Sequence, residues 1–136
     1  MTVGFFRRHW VDAVSVGVLA AVVAWVLWGF FAPFAQQPAA RRELVAFTAE
    51  LRLGLSREDV QRHLTTARRR HLSSTDVGAD EVLIETPYTF GAGSWLAWLA
   101  FTDGRLSSVC VRTHDGKHLK PAGSPPDIGT PPRPPR

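Results

Sequence analysis

The chain has 136 residues, 45% of them hydrophobic, and carries 16 Lys and Arg against 12 Asp and Glu, a net charge of +4. One domain is the most that fits once an anchor or a tail is subtracted, which excludes a multidomain enzyme. A single cysteine, Cys110, excludes an intrachain disulfide and leaves the redox compartment open.

The N-terminus, residues 1–10, sets Arg7 and Arg8 ahead of Ala13 to Ala35, 23 residues without a charge. As a helix this stretch is roughly 35 Å long, enough to cross a hydrocarbon core about 30 Å thick. A transmembrane helix over residues 11–35 is therefore expected. The stretch exceeds the apolar core of a signal peptide, about 7 to 15 residues, and Pro33 or Phe30 stands where a cleavage site needs a small residue. The reading is an uncleaved signal-anchor.

Arg7 and Arg8 abut the apolar core, whereas Arg41 and Arg42 stand off behind residues 36–40 and are followed by Glu43. That asymmetry predicts a cytoplasmic N-terminus and a C-terminal domain outside the cytoplasm. Trp25, Trp28, Phe30, Phe31 and Phe34 fit an aromatic belt at the outer interface, and Pro33 is expected to end the helix. Ala13, Gly17, Ala20 and Ala24 line one stripe where the helix of a homodimer partner would approach closely. The same small residues are also simply common in membrane helices.

A linker at 36–40 leads into a small domain over 41–120. Leu44, Val45, Phe47, Leu51 and Leu53 give a helical stripe that stops at Gly54. Ser56 with Asp59 makes the capping-box pattern of a second helix, which continues through Val60, Leu64 and Ala67. Glu58 and Arg62 form a favourable i, i+4 pair, and Arg68, Arg69, Arg70 and His71 complement the dipole at the helix end. Contact of Arg68, Arg69 and Arg70 with lipid headgroups or another anion is the alternative use of that run.

From Val82 the pattern turns extended, with runs at Val82–Thr86, Trp95–Phe101 and Leu106–Thr113 that predict three antiparallel strands. Asp103-Gly104 is a type I′ hairpin signal, which pairs Thr102 with Arg105, Phe101 with Leu106, Trp98 with Val109 and Ala97 with Cys110. One face then carries Leu96, Trp98, Ala100, Val109 and Val111, and the other Trp95, Ala97, Leu99, Phe101, Leu106 and Cys110. Helices on one side leave part of the sheet open, so Trp95 and Leu99, with Tyr88 from the Pro87-Tyr88 break, are the candidate partner-binding residues. Residues 121–136 form a Pro-rich tail, expected to be disordered. The fold class is α+β, with one transmembrane helix, two further helices and a three-stranded antiparallel sheet.

Charge changes sign along this domain and its tail. Arg41 to His71 holds eight Arg and four acids, Leu72 to Asp103 five acids and no Lys or Arg, and Gly104 to Arg136 six bases and two acids. Such alternation suits internal pairing better than one basic face, so no nucleic-acid partner is expected.

No reaction is legible. Cys110 and His114 stand about 13 Å apart on a continuous strand, beyond hydrogen-bond reach. A hairpin at Asp115-Gly116 would bring His114 and His118 together with Asp115 as a metal site, but exposed turn histidines are common and no further acid stands behind them to orient their rings. Gly91-Ala-Gly-Ser94 lacks the lysine of a phosphate loop and precedes a strand, not a helix. No catalytic residue, metal or cofactor is therefore expected.

Leu53-Gly-Leu-Ser-Arg-Glu-Asp-Val60 opening a short helix, then Trp95, Trp98 and Phe101-Thr-Asp-Gly-Arg-Leu106 on strands, resembles the SmpA/OmlA-type small envelope domains. Members pair two helices with a three-stranded antiparallel sheet. They typically carry a lipid-modified cysteine where this chain has an apolar helix, and a Gly-Pro where it has Leu64-Thr-Thr-Ala. The resemblance implies a non-enzymatic interaction module of a bacterial-type cell envelope and carries over no catalytic residue. Three readings follow. In the first, a single-pass anchor presents the domain to a protein partner outside the cytoplasm. In the second, the domain is cytoplasmic and held on anionic lipid by Arg41, Arg42 and Arg68 to Arg70. The weakest is a metal- or thiol-dependent enzyme using Cys110, His114 and His118.

Overall fold

Apolar periodicity, a capping box and a hairpin turn account for most of what the computed structural model shows; it describes residues 3–66, 69–89, 93–116 and 119–131. The chain divides into two compact units, Met1–Pro33 and Phe34–Arg136. Helix α1 runs over Val3–Glu50 and helix α2 over Arg57–Thr66. Among the described residues five strands follow: β1 Ser73–Asp76, β2 Glu81–Glu85, β3 Trp95–Thr102, β4 Arg105–Thr113 and β5 Ile128–Gly129.

In the first unit every side chain from Ala13 to Phe31 is exposed, including Leu19, Val22, Trp25 and Trp28. Among the described residues this is the one helix long and apolar enough to cross a membrane. Ala13, Gly17, Ala20 and Ala24 lie on its exposed surface.

Neither Pro33 nor the expected linker interrupts α1, and residues 36–40 are helical. A proline inside a helix loses one backbone hydrogen bond and crowds the preceding turn. Within the second unit that cost is outweighed by tertiary packing: Gln37, Ala40, Leu44 and Phe47 are all buried. Arg42 Nε also donates to the Pro38 carbonyl at 3.2 Å. Of the expected stripe, Leu44, Phe47 and Leu51 reach the core, while Leu53, past the helix end, is exposed.

Helix α2 starts as its sequence dictates. The Asp59 backbone N–H donates to Ser56 Oγ at 3.1 Å, and the Ser56 hydroxyl donates to Asp59 Oδ2 at 2.8 Å. That hydroxyl is the main reason the Asp59 carboxyl is held below its usual range, with Arg62 adding to it. The charge partner of Arg62 is Asp59 at i−3, at 2.8 Å, in place of the expected Glu58.

The sheet is antiparallel throughout, in the order β1-β2-β3-β4-β5, with five strands where three were expected. The expected three are β2, β3 and β4. Strand β1 is polar and fully exposed, so no apolar alternation marks it. Arg57 holds it by an ion pair to Asp76 at 2.6 Å and a hydrogen bond to the Ala79 carbonyl at 2.9 Å. Strand β5 lies in the tail that was expected to be disordered; residues 132–136 lie outside the described residues.

The β3–β4 turn is the one predicted, with Asp103 at φ 51° and Gly104 at φ 72°, as a type I′ turn requires. Thr102 pairs with Arg105 and Phe101 with Leu106. One residue later the register shifts: a bulge at Ser107 sets Ala100 opposite Ser108, Trp98 opposite Cys110 and Ala97 opposite Val111. The expected pairs Trp98 with Val109 and Ala97 with Cys110 are thereby replaced. Because side chains alternate along a strand, one extra residue moves everything after it to the other face. The Ser107 hydroxyl donates to the Ala100 carbonyl at 3.0 Å and fixes the bulge.

The bulge therefore decides the two faces. Trp95, Ala97, Leu99, Phe101, Leu106, Val109 and Val111 join Leu44, Phe47, Val60 and Leu64 of the helices, and Leu51 just past α1, in one core. Leu83, Leu96 and Trp98 form a second buried cluster, in register with Cys110 through Trp98.

Candidate functional site

The residues expected to bind a partner separate on folding. Trp95 is 8% exposed and Leu99 0%, both within the helix-covered core, so neither offers a docking surface. The guanidinium of Arg41 lies 5.1 Å over the Trp95 ring, and its Nη2 and Nε donate to the Gly93 carbonyl at 2.6 and 3.1 Å. Tyr88 remains 51% exposed and stacks at a tilt on His114, ring centroids 4.8 Å apart.

The segment carrying Tyr88 is built around Ser94. Its hydroxyl accepts from the Thr89 backbone N–H at 2.9 Å and donates to the Pro87 carbonyl at 3.2 Å. Gln37 of α1 donates to the same carbonyl. His114 meets Glu85 Oε1 at 3.7 Å and Asp115 Oδ1 at 3.9 Å, and its backbone N–H donates to the Ser94 carbonyl at 3.0 Å. This polar rim around an exposed tyrosine is the surface that survives from the expected site.

The arginine run is divided in the same way. Arg69 has a side chain only 4% exposed; it pairs with Glu50 at 2.8 Å, donates to the His63 carbonyl at 2.6 Å and lies 4.9 Å over the Phe47 ring. Its charge is spent within the second unit. Arg70 is exposed, and Arg68 lies outside the described residues. Next to them the Glu43 carboxylate accepts from both the backbone N–H and the ring Nδ1 of His71, at 3.1 and 2.6 Å, tying this loop to α1.

Of the reactive candidates, Cys110 is buried, and burial first, then the Asp127 charge, pushes its thiol above the usual range. His118 lies outside the described residues. Among the described residues no group of three or more His, Cys, Asp or Glu is placed to hold a metal ion.

Sequence reasoning missed the contact between the tail and β4. Arg112 Nη1 and Nη2 donate to Asp127 Oδ1 and Oδ2, each at 3.0 Å, and Lys120 Nζ reaches Oδ1 at 3.3 Å. Ile128 pairs with Val109 and Gly129 with Ser108. The available signal was Asp127-Ile128-Gly129, the one interruption of a Pro-rich stretch by an acid and a β-branched residue. On the face shared by Trp98, Ser108 and Cys110, the buried Trp98 Nε1 and Ser108 Oγ find no hydrogen-bond partner among the described residues.

The Arg112 hydrogen bonds hold the Asp127 carboxyl below its usual range. A depressed carboxylate stabilises the fold above its unfolded value, near 3.9, and that contribution is lost as pH falls through the lower folded value. The tail is therefore expected to stay seated from neutrality down to about pH 4 and to release below it. The Ile128 methyl shifts, followed by NMR from pH 7 to 3, check this; a shift change centred near neutrality contradicts it.

Motifs distant in sequence meet at the other end of β4. Gly54 donates to the Leu106 carbonyl and Leu106 to the Leu55 carbonyl, both at 2.8 Å, beside an open groove lined by Arg52, Ser56, Asp59 and Arg105. The groove carries both signs of charge, which gives it no preference for a polyanion. Comparison of the chain with family models, curated proteins and solved structures found no match.

Proposed function

We propose that the chain is a single-pass membrane protein of a bacterial-type cell envelope, with its N-terminus in the cytoplasm and a small α+β head outside it that binds a protein partner without catalysis. The observation that carries this reading is the exposed, uncharged surface of the helix from Ala13 to Phe31, which water disfavours and a hydrocarbon core accepts. The head supports it by what it does with its charges. Of the arginines that adhesion to anionic lipid would use, Arg41 and Arg69 are committed to acceptors within the second unit, which removes part of that cationic surface. Tyr88, an aromatic residue in a polar rim, has the character of an interface anchor.

Two reporters fused after Arg136 test the placement. A reporter active only outside the cytoplasm is expected to be active and a cytoplasm-only reporter silent, and the reverse pattern contradicts the placement. Crosslinking in intact membranes tests the interface: Tyr88→Ala is expected to weaken a specific crosslinked product at least tenfold while leaving the fold unchanged.

A further inference from the structure

Building on the reading of the head as an interaction module, we propose that the β4 edge at Ser108–Arg112 is a peptide-binding edge. Its ligand is an extended partner segment with a carboxylate, a β-branched apolar residue and a glycine in succession, and Asp127–Gly129 is the chain's own copy of that ligand, seated in cis.

Each of the three tail positions meets a distinct feature of β4. The Asp127 carboxylate receives two parallel hydrogen bonds from Arg112, the geometry in which a guanidinium selects a carboxylate over other anions and amides. Ile128 packs against the helix-covered core. Gly129 has φ +75°, and a Cβ there would run into the Ser107 carbonyl at the bulge, so a side chain is excluded. Charge, shape and backbone conformation are thus specified at consecutive residues, while main-chain pairing to Ser108 and Val109 supplies the sequence-independent part.

The cis segment is built to be replaceable. It pairs with two residues only, and Pro125, Pro126 and Pro131 on either side have no N–H with which to lengthen the ladder. Proline also keeps the flanks extended, so little order is gained or lost when the segment leaves. With the cis segment seated, Trp98 Nε1 and Ser108 Oγ are buried without partners among the described residues, and a partner segment that brings an acceptor to Ser108 improves on it.

The test uses the full chain in lipid nanodiscs and a fluorescent peptide with the sequence of residues 121–131. In Gly129→Val the cis segment no longer fits, and the peptide is expected to bind this variant at least tenfold more tightly than the wild-type chain, where the tail competes. Adding Arg112→Gln to Gly129→Val is expected to weaken that binding about tenfold. A control peptide with valine in place of its glycine is expected not to bind. Alkylation of Cys110, beside Asp127 on the same face, is expected to speed up in Gly129→Val and to slow again when the peptide is added. The proposal is overturned if Gly129→Val keeps its near-ultraviolet circular dichroism yet ignores the peptide, or if the control peptide binds equally. Loss of the native signal in Gly129→Val also overturns it, because the tail is then an indispensable part of the core. Nanodiscs expose both sides of the bilayer, so failure here leaves the reporter result standing, and a cytoplasmic head would leave the peptide result standing.

Discussion

Trp95→Ala is expected to destabilise the head by about 3–5 kcal/mol, the usual cost of deleting a buried tryptophan. The ring fills the core beneath the helices, and its other contact is the Arg41 guanidinium at 5.1 Å. Truncation therefore opens a cavity and leaves a partly buried cation without the face it covers, a loss of about 1 kcal/mol in its own right. A domain of this size has only about 5–15 kcal/mol in total, so the variant sits near the edge of folding. Denaturant titration of the full chain in micelles, followed by near-ultraviolet circular dichroism, reads the change. Tyr88→Ala, at a half-exposed position, is expected to move the same midpoint by about 1 kcal/mol or less. Equal effects at the two positions would contradict the assignment of one to the core and the other to the surface.

Phe47→Ala is expected to cost a similar amount, about 3–5 kcal/mol. Phe47 is fully buried at the centre of the stripe by which α1 packs on the sheet, and Arg69 closes over its ring at 4.9 Å. The two residues should therefore not behave independently. In a double-mutant cycle with Arg69→Met, which keeps the alkyl stem but loses the charge, a coupling of about 0.5–2 kcal/mol is expected. Arg69→Met alone is expected to lower stability while leaving membrane association unchanged, because Arg69 spends its charge on Glu50 and the His63 carbonyl. Loss of membrane binding at unchanged stability would instead restore the lipid-contact reading of this arginine.

How far the fold was legible depends on how local its causes are. The Ser56–Asp59 cap and the Asp103–Gly104 turn act through neighbouring residues, and both stand where their sequence patterns put them. The two faces of the sheet were grouped correctly along β3, but beyond Leu106 one bulged residue, Ser107, reversed the parity of β4. Nothing in the pattern Leu-Ser-Ser-Val marks that bulge, since either serine is acceptable on either face. Strand β1 escaped notice because Ser73 to Asp76 bury nothing and are held by a partner in α2. Helix α1 passes Pro38 because tertiary packing of Gln37, Ala40 and Leu44 overrides a local breaker, whereas nothing packed around Pro33 among the described residues explains why the helix continues there.

The site was less legible than the fold for the same reason. Exposure of Trp95 and Leu99 was inferred from an apolar surplus on both faces, and which face the helices choose is a tertiary decision. Arg69 read as one of three equivalent cations until Glu50 and Phe47, far away in sequence, singled it out. Asp127 lay in a stretch whose composition signals disorder, yet composition is silent about a single ion pair to Arg112. The exposure of Tyr88 was legible because a tyrosine at a Pro break rarely finds a core to enter.

Alkaline carbonate extraction of membranes containing the full chain tests the central claim most directly. If Ala13 to Phe31 crosses the bilayer, the protein stays in the pellet with its N-terminal sequence intact. Recovery in the supernatant, or a mature chain starting near Gln36, contradicts the account.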